Sequence, residues 1–89
     1  MNINFELYKV FYYVAKNSSI SRAANEMMIS QPAISKSIKT LEEQVGTSLF
    51  IRKRDGVILS EAGETIYNKI KDAVELIVSA ENDLDALTN

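Results

Sequence analysis

Apolar side chains recur along this 89-residue chain in four stretches of helical period and one short stretch of strand character. Over residues 4–17, Phe5, Tyr8, Phe11, Tyr12 and Ala15 gather on one face at about 100° per residue. Leu7, Val10 and Val14 form a second apolar stripe beside it. One stripe suits a core; the other suits either more core or a contact surface. Ser18 or Ser19 can cap a second helix over residues 20–28. Its small Ala23 and Ala24 let another helix approach closely, and Met27 and Ile29 supply core. A tight break at Ile29-Ser30 leads into a third helix. Ser30 is its N-cap, Pro32 lies in the first turn where a missing N–H costs nothing, and Gly46 fits the left-handed position that ends it. Ile34, Ile38, Leu41 and Val45 share one side of this helix, while Pro32, Ser35, Lys36, Lys39 and Glu43 point the other way.

The period then changes. Residues 49–59 hold two short β-type runs flanking Asp55-Gly56, which predicts a hairpin with Arg52, Lys53 and Arg54 at its tip. Ser60 caps a last helix, with Glu61 and Glu64 near its positive end. Along it Ile66, Ile70, Ala73, Ile77, Ala80, Leu84 and Leu87 recur in alternating steps of four and three, a heptad seam. A lone helix of this kind is marginal in water. The seam needs a partner, and an identical chain is the simplest. A long amphipathic helix lying on its own domain is the other reading.

The elements together predict a mainly α fold. It is a winged helix-turn-helix of three helices plus a β-hairpin wing over residues 1–60, followed by a long dimerisation helix over residues 61–89. Length allows one small domain, whose core is marginal enough to favour self-association. The chain has no cysteine and no histidine, which excludes disulfides, thiol chemistry and histidine-based zinc or acid/base sites. No apolar run approaches a membrane span, and the first residues lack a signal-peptide layout, so the expected location is cytoplasmic. Net charge is −2. Its distribution changes that picture. Residues 1–60 carry eight Lys/Arg and five Asp/Glu, a net of +3, and residues 61–89 carry two Lys and seven Asp/Glu, a net of −5. A nucleic-acid surface belongs on the basic part.

The outer face of the third helix has the chemistry of base reading. Gln31 can pair with adenine N6 and N7, Lys36 can donate to guanine O6 and N7, and Ser35 can serve either. The helix N-terminus offers N–H groups to a phosphate. Arg52, Lys53 and Arg54 suit backbone or minor-groove contact, with Asp55 tempering the field. Glu42 and Glu43 point in different directions on a helix and read as surface, not as an acid/base pair. Tyr8, Tyr12, Tyr13 and Tyr67 read as core or interface. Nothing resembles a phosphate loop, a nucleophile or a metal cluster, so no enzyme and no cofactor are expected.

The segments SISRAA, MISQPAISKSIKTLEEQVGTSLFIR and GVILSEAG, over residues 19–63, resemble the N-terminal DNA-binding region of LysR-type transcriptional regulators. The flanking helices match in length and pattern. The resemblance implies that Gln31, Pro32, Ala33, Ser35 and Lys36 read bases. It implies that Ser30, Arg22, Arg52 and Arg54 contact the backbone; Lys39 and Lys53 lie on the same surfaces. Lys36 stands where arginine is the commoner choice, and lysine offers a point charge where arginine offers a fork. Family members carry a longer C-terminal effector-binding domain, so this chain is expected to be a piece of such a regulator and to meet effector only through that domain. The resulting expectation is a non-enzymatic bacterial transcription factor. It binds an inverted repeat in double-stranded DNA as a homodimer, with Leu7, Val10 and Val14 packed on the partner's linker helix. A winged-helix protein-interaction module that binds no DNA is the alternative, favoured by the acidic overall charge.

Overall fold

The computed structural model describes residues 1–88. Helices α1 (Phe5–Asn17), α2 (Ile20–Met27) and α3 (Gln31–Val45) are followed by strands β1 (Phe50–Lys53) and β2 (Gly56–Leu59) and by helix α4 (Glu61–Thr88). The order is that of a winged helix-turn-helix with a long final helix.

Each helix starts at a side chain that accepts a free backbone N–H. The Asn4 carboxamide oxygen accepts from Glu6 at 2.8 Å, and the Ser19 hydroxyl from Arg22 at 3.1 Å. The Ser30 hydroxyl accepts from Ala33 at 3.2 Å, and that of Ser60 from Gly63 at 3.0 Å. Each such cap contributes about 1 kcal/mol. The first three helices end on left-handed residues: Ser18 (φ 52°), Met28 (φ 60°) and Gly46 (φ 83°). The stop at Met28 is what makes the α2–α3 turn tight.

The core is built on α1. Val10, Phe11 and Val14 meet Ala23 and Ala24 of α2, Ile34, Ile38 and Leu41 of α3, Leu49 before the wing, and Val57 of β2. Phe11 packs against Phe50 with ring centroids 5.2 Å apart and edge-on to Tyr67 at 6.4 Å. The alanines of α2 are buried as their small size predicts, whereas Ile29 is exposed and only Met27 packs from that end. Both stripes of α1 therefore contribute to the core. Val10 and Val14 are 1% and 0% exposed, so the expectation that they touch a partner's helix is corrected. Neither has surface left to offer, because α2, α3, α4 and β2 all pack on α1. Leu7 is half-buried against the same core.

The hairpin differs in register from its prediction. Lys53 pairs with Gly56, which places Arg54 and Asp55 in the two-residue turn and Gly56 in β2. Gly56 has another reason to be glycine. A Cβ there would run into the Ser18 carbonyl, the same oxygen that accepts the Val57 N–H at 3.1 Å. The wing is thus moored to the end of α1. Its other end is held by α3 and α4. The Glu42 carboxylate accepts from the N–H groups of Leu49 and Phe50 at 2.7 and 3.2 Å. The Ser60 hydroxyl donates to the Ser48 carbonyl at 2.7 Å, and the Ser60 N–H donates to that of Leu49 at 3.0 Å.

Helix α4 starts inside the core and leaves it. Ile66, Tyr67 and Ile70 pack on the cluster, and Val74 is 2% exposed. The later seam positions Ala73, Ile77, Ala80, Leu84 and Leu87 are exposed. The seam therefore splits: its first two residues are spent on the chain's own core. No helix among the described residues is long and apolar enough to cross a membrane.

Two stability outcomes follow. In Gly63→Ala the new Cβ meets the Leu49 carbonyl and the Leu59 side chain, both held by the wing junction. Backbone must shift, so unfolding by urea should show a loss of about 1–3 kcal/mol. The second concerns Glu26, which accepts from the Asn17 amide at 2.9 Å and from the Lys16 ammonium at 2.9 Å. These bonds, Asn17 first, hold its carboxyl below the usual value of 4.5. A depressed carboxyl contributes stability above that value and loses it as pH falls through its own lower one. Both partners are well exposed, so the contribution is small, under about 1 kcal/mol. Glu26→Gln should cost a few tenths of a kcal/mol at neutral pH and nothing at pH below the folded carboxyl's, as read from paired urea titrations.

Candidate nucleic-acid interface

Helix α3 separates its residues by side. Ile34, Ile38 and Leu41 are buried, which turns Gln31, Pro32, Ala33, Lys36 and Lys39 outward to solvent, with Ser35 half-buried between them. The sidedness is a direct result of the apolar spacing, since residues four apart stack on one face. Helix α2 crosses beneath with its alanine face and leaves Arg22 exposed. Ser30 is exposed at the N-cap, and its hydroxyl hydrogen is free to donate while its oxygen accepts from Ala33. Arg52 and Lys53 lie on β1 and Arg54 in the turn, all exposed.

Charge pairing sharpens the picture. Among the described residues, ion pairs join Lys9 to Glu81 at 3.3 Å and Lys16 to Glu26 at 2.9 Å, at the α1–α4 and α1–α2 junctions. Arg22, Lys36, Lys39, Arg52, Lys53 and Arg54 form none. Among the described residues, these six exposed cations on α2, α3 and the wing have no ion-pair partner. An unpaired exposed cation keeps its full field for a polyanion. The neighbouring polar groups can discriminate: Gln31 offers both a donor and an acceptor from one rigid amide, and Ser35 offers a hydroxyl. No group of His, Cys, Asp or Glu that could hold a metal ion occurs among the described residues.

The tyrosines are placed elsewhere. Tyr12 is buried, stacked on Tyr67 at 6.1 Å and 15°, and edge-on to Tyr13 at 5.2 Å. Their rings serve packing between α1 and α4. Burial first, and then its hydrogen bond to Glu75, push the Tyr12 phenol far above its usual ionisation range.

Three residues with clear roles escaped the sequence reading. Glu42, read as surface, is the acceptor that joins α3 to the wing. Val74 is the last fully buried contact of α4, and Glu75 accepts from Tyr12. A second α4 periodicity, Tyr67, Val74, Val78 and Glu81, was the available signal for the latter two. It is weaker in apolar content than the seam beside it.

Comparison with known proteins agrees with this geometry. The profile of bacterial regulatory helix-turn-helix proteins of the lysR family matches residues 5–64. The RuBisCO operon transcriptional regulator of Allochromatium vinosum is 34% identical over 87 residues, covering 98% of this chain and 29% of that protein. The transcriptional regulator BudR of Klebsiella aerogenes is 43% identical over 77 residues, covering 86% of this chain and 52% of that one. The chain thus spans under a third of the first relative and about half of the second. Among solved structures, the DNA-binding domain of CbnR in complex with DNA superposes with a TM-score of 0.78 at 26% identity, covering 98% of this chain and all of that one. With its profile match, its helix-turn-helix and its wing, this chain belongs to the LysR family of bacterial regulatory helix-turn-helix proteins.

Proposed function

We infer that this chain is the DNA-binding part of a bacterial LysR-type transcriptional regulator, without enzymatic activity of its own. The observation that carries this is the set of six unpaired cations around an outward-facing α3 whose first turn bears Gln31 and Ser35. A relative of the same fold, CbnR, has its DNA-binding domain crystallised on DNA. In this reading Gln31, Pro32, Ala33, Ser35 and Lys36 meet base edges in the major groove. Arg22, Ser30, Lys39, Arg52, Lys53 and Arg54 meet phosphates and the adjoining minor groove. Residues 1–60 form the reading unit. Residues 61–89 link two copies through Ala73, Ile77, Ala80, Leu84 and Leu87, with Ile66 and Ile70 flanking that contact from the core. The cognate site is then an inverted repeat, since a two-fold dimer presents two identical reading helices. Effector sensing belongs to a separate C-terminal domain of the regulator, and the site of action is the cytoplasm.

Salt dependence tests DNA binding itself. The logarithm of affinity for a duplex should fall with the logarithm of salt at a slope near −0.9 per phosphate engaged, about −4.5 for one chain if Arg22, Lys39, Arg52, Lys53 and Arg54 each meet one, and about twice that for the dimer. A chain that binds no duplex is instead an interaction module. The dimer contact is tested by Ile77→Asp and Leu84→Asp. Each places a charge where the seam has no water to offer it, so sedimentation should show monomers at micromolar concentration. Two variants that remain dimers overturn the assignment.

Lys36→Ala and Arg54→Ala should fail differently. Loss of Lys36 should cost about 1–3 kcal/mol on the best site and relax base preference at one position per half-site. Loss of Arg54 should weaken binding to all sequences alike and lower the salt slope by about one per contact. Both are measured on the best site and its single-base variants at several salt concentrations. A Lys36→Ala deficit equal across all sequences makes Lys36 a phosphate contact and leaves base reading to Gln31 and Ser35.

A further inference from the structure

We propose that Tyr12 and Glu75 form a positioning clasp that fixes the direction of α4 relative to the reading helix and so sets which half-site spacing the dimer accepts. The proposal rests on the DNA-binding reading above and deepens it.

Helix α4 has 28 residues, of which the last fully buried one is Val74. Beyond that point none of its described residues is fully buried. Val78 is half-buried, and the Lys9–Glu81 pair is exposed on its acidic side and screened by salt. The Tyr12 hydroxyl donates to the Glu75 carboxylate at 2.7 Å, immediately after Val74. It is a bond to a charged acceptor from a ring already held in place, since Tyr12 is buried and stacked on Tyr67. A rigid donor on α1 therefore fixes the azimuth and tilt of α4 at its exit from the core. The phenol stays protonated far into the alkaline range, so the donor is present throughout physiological pH.

The leverage is large. From Glu75 to Thr88 a helix runs for ~20 Å, and a swing of ~10° at its root moves its end by ~3.5 Å. That is about one base-pair step. In a two-fold dimer joined along α4, the error enters once from each chain. Core packing around Phe11 and Ile34 orients α3, and its last fully buried contact on α4 is Val74.

The test uses the whole chain and a duplex selected by it from a random pool, resynthesised with its spacer lengthened or shortened by one base pair, together with a duplex carrying one half-site. The wild-type chain should lose tenfold or more for either spacer change. Tyr12→Phe keeps the ring and loses only the hydroxyl. It should bind the selected duplex and the single half-site within threefold of wild type, yet lose less than threefold on the altered spacers. Glu75→Ala should behave likewise, and Glu75→Gln, which retains an accepting oxygen, should restore the wild-type profile. The absence of cysteine permits a readout without DNA. Spin labels on cysteines introduced at Gln44 and Asn82, in a labelled chain diluted into unlabelled partner, should give one narrow distance in wild type and a broadened one in Tyr12→Phe. Variants that share the wild-type spacing profile and distance distribution overturn the clasp and leave DNA binding standing. An equal loss on every duplex, the half-site included, overturns it too, because Tyr12 then only supports the reading unit. A chain that selects no duplex overturns the DNA reading and this proposal with it.

Discussion

Everything in this chain is registered to α1. The helix is apolar nearly all round, and such a helix is stable only when covered on most sides. Val10, Phe11 and Val14 receive α2, α3 and the wing, while Tyr12 receives α4. The carbonyl of Ser18, the residue that caps the C-terminus of α1, moors β2. A domain of this size has little core to spare. Centring it on one element makes the placement of the reading helix, the wing and the linker a single packing solution. Disturbing Phe11 would disturb all three.

Most of the fold is legible along the chain because its local signals agree with one another. Ser19, Ser30 and Ser60 mark helix starts, Gly46 marks an end, and the structure uses each as such. The α3 pattern is legible for the same reason: Ile34, Ile38 and Leu41 leave one outward side, and the polar residues occupy it. What is not legible depends on neighbours distant in sequence. The hairpin turn is Arg54-Asp55 and not Asp55-Gly56, because the glycine is required where the backbone of Ser18 comes close. The stripe of Leu7, Val10 and Val14 reads equally well as core or as contact surface. The packing of α2, α3, α4 and β2 on α1 decides between them. Glu42 looks like any exposed helix carboxylate until Leu49 and Phe50 are brought under it.

The two uses of α4 explain its unusual pattern. Its first half belongs to the core and its second half exposes Leu76, Ile77, Leu84 and Leu87 to solvent. An apolar row of that length is costly to leave in water and marks a place meant to be covered. The acidic charge is concentrated on the same helix, whereas residues 1–60 are net positive. A polyanion is thereby attracted to one part of the molecule and repelled from the other, which orients its approach before contact.

The pair of hydrogen bonds that Glu42 accepts from the wing has an entropic side. The carboxylate belongs to the reading helix, and the two N–H groups it holds begin the hairpin. Helix and hairpin are therefore ordered together when the chain folds. The freedom they lose is surrendered then, and little remains to be lost when both meet one ligand. A hairpin swinging independently would have to be immobilised at each encounter, at the expense of affinity. One carboxylate on the inner edge of α3 thus makes two separate elements behave as one prepared surface.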